Sequence, residues 1–335
     1  MLAGSGSTGG REGRPEALPC NRCPLSCSGG SSCGVVDASR QGDLYPWHAV
    51  YMSLLPVEEV PLYHTCPGGL TARIMVPGAP WRCGVCFWSQ YASPQGLVLR
   101  RLGDNELARL RLARPHVLLV DGGEPLLQDW VLELPSKLKS ILGGYAPRVY
   151  AFRTTGLVSE RRLEEAASNG YSVAVFEYVL AVEKPPMPDH VTSILPRVYE
   201  QFRIVEIHVL YDGSRRAGVI VSDLASKYTE AAIHVIPLSE EAADRAYTIV
   251  EKLRNKGLGF VYLYRDESYT VTDTLCSCGK PLLSRKPWGV RIHAQPAGGG
   301  DGARCPHCGR VHSRILLCRE EARRPRSIYR EIVIW

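Results

Sequence analysis

Residues 71–86 read TARIMVPGAPWRCGVC. The first six, TARIMV, have the composition of a buried strand. Pro77 and Gly78 end it, and a C-x2-C pair, Cys83 and Cys86, follows in the loop. A strand running straight into a thiol-bearing loop has the form of the first unit of a parallel α/β fold, in which chemistry gathers beyond the C-terminal ends of the strands. Whether that unit repeats decides the fold.

Six further strands are predicted at HVLLVD (116–121), RVYAF (148–152), SVAVFEY (172–178), IVEIHVL (204–210), AIHVIP (232–237) and FVYLY (260–264). Helices are predicted between several of them. DNELARLRLA (104–113) opens on Asp104 or Asn105 as its cap, and SERRLEEAASNG (159–170) runs from Ser159 to Gly170. SEEAADRAYTIVEKLRNKG (239–257) runs from Ser239 to Gly257, with acids in the first turn and Lys or Arg in the last. Pro135 and Pro196 interrupt two of the other crossovers. The pair Arg161–Arg162 reads as a solvated helix face. Strands alternating with helices give a parallel sheet, and seven units can close, or nearly close, into a barrel. The expected fold class is α/β, a partial parallel (β/α) barrel.

A second loop stands out at the same edge, DGGEPLLQ (121–128). Gly122 and Gly123 let a ligand approach the backbone closely. Glu124 places a carboxylate there, and Pro125 can begin the following helix. Read alone, GGEP is equally a tight strand-to-helix turn with a solvated glutamate.

A chain of 335 residues, 45% hydrophobic, can bury a large core and suits one large domain with small appendages. Its net charge of +6 is a mild excess, pointing to a soluble basic protein rather than to a nucleic-acid binder. No run of eighteen apolar residues occurs, so no membrane span is expected. The N-terminal MLAGSGSTGGREGRPE is Gly/Ser-rich without an apolar centre. Residues 1–18 read as a disordered tail rather than a signal peptide, and the expected location is the cytoplasm.

The twelve cysteines fall into groups: Cys20, Cys23, Cys27 and Cys33; Cys83 and Cys86; Cys276, Cys278, Cys305 and Cys308; with Cys66 and Cys318 alone. A long α/β chain without a signal favours metal thiolates over a disulfide framework, although intracellular proteins of thermophiles do carry disulfides. The first group, C-x2-C-x3-C-x5-C in a Gly/Ser-rich stretch, suits tetrahedral zinc or an iron–sulfur cluster. A segment so poor in apolar residues needs such a staple. Cys276-x-Cys278-Gly and Cys305-Pro-His-Cys308-Gly have the form of two zinc-ribbon knuckles, the first one residue short, with His307 and His312 as nearby substitutes. A structural zinc is expected there. The tail EEARRPRSIYREIVIW (320–335) reads as a final strand packing on the body, or as an arm that docks on an acidic surface.

Taken in order, these features resemble the radical S-adenosylmethionine (SAM) superfamily, and within it the pyruvate formate-lyase-activating-enzyme-like branch, especially the AmmeMemoRadiSam-type proteins. LPCNRCPLSC…CGV (18–35) and PVEEVPLYHTCPGG (56–69) look like that family's cysteine-rich lead-in. GAPWRCGVC stands where the family has G-C-x3-C-x2-C, and DGGEPLLQ matches its SAM-binding turn. KGLGFVYLYRDES (256–268) with CSCGKPLL…CPHCG resembles its last barrel unit and zinc-ribbon-like tail. The resemblance covers about residues 19 to 315. It implies a cysteine-rich module over 19–66, a radical SAM-type barrel over 67–265, a zinc-ribbon-like module over 266–316 and a C-terminal tail over 317–335.

The resemblance further implies a [4Fe–4S] cluster on three cysteines, whose open iron SAM chelates, and one-electron cleavage of SAM to a hydrogen-abstracting radical. Carried over by position, Cys83 and Cys86 are the second and third ligands. Gly122, Gly123, Glu124 and Pro125 form the SAM-binding turn. Ala79 stands in the place of the first ligand, and a methyl group cannot bind iron. Cys66 and His64 cannot replace it, because the intervening strand of six residues spans about 20 Å. A ligand from the N-terminal group, from Cys318 or from a partner is left open. Val85 also departs from the family, which has an aromatic residue before its last cysteine. The chain is therefore expected to be a radical SAM-type protein whose cluster site is incomplete and whose SAM cleavage is impaired or lost. The alternatives are an active enzyme of activase-like or other hydrogen-abstraction chemistry with an unusual third ligand, and a non-catalytic zinc-binding scaffold for a protein or RNA partner.

Overall fold

Val, Ile, Tyr and Phe dominate the seven predicted runs, and all seven are strands in the computed structural model, which describes residues 19–27, 32–37, 40–264, 271–286, 289–298, 302–318 and 331–335. The expected tail over 1–18 and most of 320–335 lie outside the described residues. The strands of the central sheet are β1 (Tyr51–Pro56), β2 (Leu70–Val76), β3 (Val117–Gly122), β4 (Val149–Thr154), β5 (Val173–Tyr178), β6 (Ile204–Tyr211), β7 (Ala232–Pro237), β8 (Val261–Leu263) and β9 (Ile332–Val333). Their order is β8-β7-β6-β5-β4-β3-β2-β1-β9. Strands β2 to β8 run parallel, whereas β1 is antiparallel to β2 and β9 to β1. Among the described residues the two edges, β8 and β9, do not pair with each other and the sheet is open.

Side chains alternate across this sheet, as the pleat requires. Leu118, Val120, Phe152, Phe176, Ile207 and Val235 lie on the face that packs under the helices in the main apolar core. The helices are α1 (Asp104–Ala108), α2 (Leu110–Ala113), α3 (Asp129–Leu142), α4 (Glu160–Ser168), α5 (Pro188–Gln201), α6 (Arg215–Lys227) and α7 (Glu240–Asn255). On the other face, Leu119, Ala151, Val175 and Ile204 are covered by Val57, Val60, Leu62 and Cys66 from the segment between β1 and β2. That segment closes the base of the inner face, near the N-terminal ends of the parallel strands.

Several local expectations are corrected. Residues 104–113 form two short helices broken at Arg109, and Gly103 rather than Asp104 or Asn105 is the cap, with Glu106 accepting its N–H at 3.0 Å. Ser239 does cap α7, accepting the Ala242 N–H at 3.2 Å, whereas Ser159 opens α4 without a side-chain bond. Pro135 and Pro196 do not interrupt their crossovers; α3 and α5 run through them. At Pro135 the reason is visible: a proline leaves the carbonyl four residues back without its helical donor, and the Tyr171 hydroxyl donates to that Val131 carbonyl at 2.7 Å. Arg162 is not solvated. It is buried and donates to the Leu126 carbonyl at 2.6 Å and to Asp129 and Glu165 at 2.9 and 3.0 Å.

The C-terminal module consists of two three-stranded sheets, Thr274–Leu275 with Pro281–Lys286 and Gly289–Ile292, and Gln295–Pro296 with Ala303–Arg304 and Val311–His312. Leu282, Leu283 and Ile315 share a buried cluster with Tyr63, Phe260 and Tyr262. Arg285 reaches from the module to the Tyr63 carbonyl at 2.7 Å, its guanidinium 4.0 Å from the Tyr63 ring centre. No helix among the described residues is long and apolar enough to cross a membrane.

Candidate functional site

The two loops singled out in the sequence meet at the C-terminal edge of β2 and β3. The Gly123 N–H donates to Val76 O at 2.9 Å and the Glu124 N–H to Gly78 O at 2.7 Å. A Cβ on Gly122, whose φ is +111°, would collide with the Val76 carbonyl, and one on Gly123 with the Gly78 carbonyl. The glycines are thus required by the approach of the chain's own backbone. Glu124 is neither solvated nor exposed in a cavity. It is buried, its Oε2 accepts from the Thr155 N–H and hydroxyl at 3.0 and 3.1 Å, and burial pushes its carboxyl up to about 7. Pro125 begins a short 3-10 turn, Pro125–Leu127, which leads into α3.

Cys83 and Cys86, expected as metal ligands, are joined to each other as a disulfide. They are buried with Ala79, Trp88, Val179, Leu210 and Ile236, so position 79 packs with the pair but offers only a methyl group. That buried cluster holds no further thiol among the described residues. Cys66 packs at the base with Val117 and Val149. It is bonded to Cys318, so neither of these cysteines stands alone. Cys20, Cys23 and Cys33 pack in a separate cluster with Val35, Val36 and Leu127. A three-thiolate [4Fe–4S] centre with chelated SAM therefore does not fit the residues at this mouth. Two sulfurs are bonded to one another, and the third position is apolar.

Above the base, the inner face turns polar and lines a cavity of about 480 Å³. Arg73, Met75, Asp121, Arg153 and His208 form its wall, and Phe87, Trp88, Tyr91 and Tyr264 stand around it. Arg153 is the hub: its Nε donates to Asp121 at 2.6 Å, and its terminal nitrogen lies 3.2 Å from Glu177 and 3.0 Å from His208 Nδ1. An arginine can only donate, so Nδ1 of His208 accepts and Nε2 carries the proton that it gives to the Pro61 carbonyl at 3.1 Å. Against the cost of burial, Arg153 and Arg73 hold Asp121 below the usual carboxylate range. Glu177 also accepts the Trp88 indole N–H at 3.1 Å, but burial outweighs Arg153 and lifts its carboxyl to about 7. One layer deeper, Glu206 accepts the His64 N–H at 2.8 Å and lies 2.8 Å from His234 Nε2. Burial holds His208 and His234 well below the usual imidazole range, and so keeps both neutral.

The C-terminal thiols form the candidate metal centre. The sulfurs of Cys276, Cys278, Cys305 and Cys308 all lie within 4.8 Å of one another. Gly279 and Gly309, at φ +79° and +75°, follow the two cysteine pairs, and their N–H groups turn back onto Cys276 O and Cys305 O at 2.8 and 3.0 Å. Only glycine adopts that turn freely. Four thiolates in this arrangement fit a tetrahedral ion. Of the two histidines considered as substitutes, His307 is exposed, and His312 is buried with Nε2 3.4 Å from the Cys276 sulfur, where it supports a ligand rather than replacing one.

The polar wall was not singled out from the sequence. A signal exists: Arg153, Glu177, Glu206, His208 and His234 interrupt runs that otherwise read as strands buried on both faces, and Glu206 and His208 are two residues apart, hence on one face. Comparison with known proteins finds no matching family model and no matching curated protein.

Proposed function

We propose that the chain is a radical SAM-type α/β protein that has kept a ligand cavity and lost the radical reaction. The observation that supports this most directly is the mouth itself: Cys83 and Cys86 are bonded to each other beside the buried methyl of Ala79. Two thiolates, even when reduced, leave two irons of a four-iron cluster open, where SAM occupies one. What remains is a cavity of about 480 Å³ with aromatic edges and a charged floor. Such a lining suits a small planar molecule carrying both donors and acceptors, stacked among Phe87, Trp88, Tyr91 and Tyr264 and oriented by Arg73 and Asp121.

The test is SAM cleavage by protein reconstituted with iron and sulfide and then reduced. Little or no 5′-deoxyadenosine is expected. Ala79→Cys, whose thiol would enter the cluster that holds Cys83 and Cys86, should increase the iron retained at the mouth. Robust cleavage by the unaltered chain, abolished by Cys83→Ser or Cys86→Ser, would overturn the proposal in favour of an active enzyme with a third ligand from elsewhere.

A further inference from the structure

The N-terminal thiols support a conclusion that rests neither on the mouth nor on the cavity. Cys20, Cys23, Cys27 and Cys33 come from a segment with little apolar core of its own, yet they line one pocket walled by Val36, Pro80 and Leu127. Cys20, Cys23 and Cys33 are buried. The backbone folds back to bring them together: the Cys20 N–H donates to Cys27 O at 2.9 Å, and Ser26 adopts the left-handed region at φ +46°. The pocket is held on the edge of the sheet from two sides. Arg22, between the first two cysteines, binds Asp43, Asp129 and the carbonyls of Gln41 and Leu127, so its charge is met by protein partners. Gly78 sits so tightly under Val35 and the Cys33 carbonyl that a Cβ there would collide with both.

We infer that Cys20, Cys23, Cys27 and Cys33 ligate one iron–sulfur cluster. Spacing separates this centre from the C-terminal one. A single zinc ion with bonds of about 2.3 Å draws four sulfurs to within about 3.8 Å of one another. The C-terminal sulfurs are so placed, with Cys276–Cys308 and Cys278–Cys305 at 3.5 and 3.7 Å. Among the described residues, that set is the group of potential ligands whose atoms all fall within 4.8 Å. Cys20, Cys23, Cys27 and Cys33 line one pocket, yet no three of their sulfurs form such a close set. A polynuclear cluster demands that spread, because each thiolate binds a different iron. The apolar walls keep water from the cluster, and the Ser32 hydroxyl, 3.2 Å from the Cys27 sulfur, supplies the kind of hydrogen bond that tunes one.

The experiment uses the whole chain, purified without oxygen and reconstituted with ferrous iron and sulfide. Expected are about four irons and about four sulfides per chain, with a thiolate-to-iron charge-transfer band. Cys23→Ser and Cys33→Ser should each lose most of both, while the double variant Cys83→Ser/Cys86→Ser keeps them. Retention of about one zinc on the C-terminal thiols reports that each variant is folded. A second zinc in place of iron in the unaltered protein, or iron that disappears with Cys83 and Cys86 instead, overturns the inference.

Discussion

Glu124 carries a carboxyl that has been taken out of water without a cation beside it. Its Thr155 contacts satisfy one oxygen, and burial lifts the group from 4.5 to about 7. Between those values the folded chain holds a proton that the unfolded chain has released. The stability contributed is complete below about pH 4.5 and falls away as pH rises through about 7. Glu124→Gln keeps an acceptor for Thr155 and removes the titration. Its stability relative to the unaltered protein should therefore climb between about pH 4.5 and about pH 7 and level off above, by up to about 3 kcal/mol in all, as read from thermal unfolding. A difference that does not change with pH would show an ionised, well-solvated carboxylate. The sequence signal at GGEP was a turn beside a strand end, and that much was legible. Whether Gly122 and Gly123 admit a ligand or the neighbouring strand's carbonyls depends on how far β2 and β3 project, which no local pattern records.

At the scale of elements, the C-terminal module is not an independent bead. Arg285 donates to Thr272 O and Tyr63 O, at 2.8 and 2.7 Å, and Leu282 and Leu283 share a core with Phe260 and Tyr262 of the sheet. A metal holding Cys276, Cys278, Cys305 and Cys308 in place thereby also fixes the floor under β8. Removal of the metal with a strong chelator should lower the unfolding temperature of the whole protein in one transition, since binding free energy at such a site is folding free energy. Two separate transitions, with the α/β body unmoved, would show that the docking is only a contact. The elements themselves were legible where signals were redundant. Seven strands combine β-branched runs with flanking turns, and α7 has a cap, a charge gradient and a terminal glycine. The rule that proline breaks helices failed at Pro135 because the orphaned carbonyl found Tyr171, a partner from beyond the next strand.

Across the whole molecule, the sheet separates two environments by the period of two alone: an apolar face under the helices and an inner face that is apolar at its base and polar above. The Cys66–Cys318 disulfide ties the covering segment at the base to the chain 252 residues later. Closing so long a loop restricts the unfolded chain by at most about 5 kcal/mol. Cys318→Ala, or reduction, should lower the denaturant midpoint without changing the sheet. An unchanged midpoint would mean that the two thiols are not bonded in solution. The disulfide left no mark in the sequence, because a single cysteine carries no periodicity to read; a final strand was expected within 320–335, but its partner β1 was not.

The shortest of these distant pairings borders the cavity. Strand β9 meets β1 through Ile332 and Val333, Ile334 and Trp335 add backbone bonds to Met52, Arg109 holds the Ile334 carbonyl at 2.9 Å, and the strand positions Glu331 at the cavity and against Arg73. A short edge strand opens at lower free energy than the centre of a sheet. The cavity is consequently stiff on the side of Asp121, Arg153 and His208 and yielding on the side of Glu331. If a small molecule occupies the cavity as proposed, extra bulk on it should be tolerated toward β9 and rejected toward Arg153, which binding of a series of analogues would show as selectivity graded by direction as well as by size.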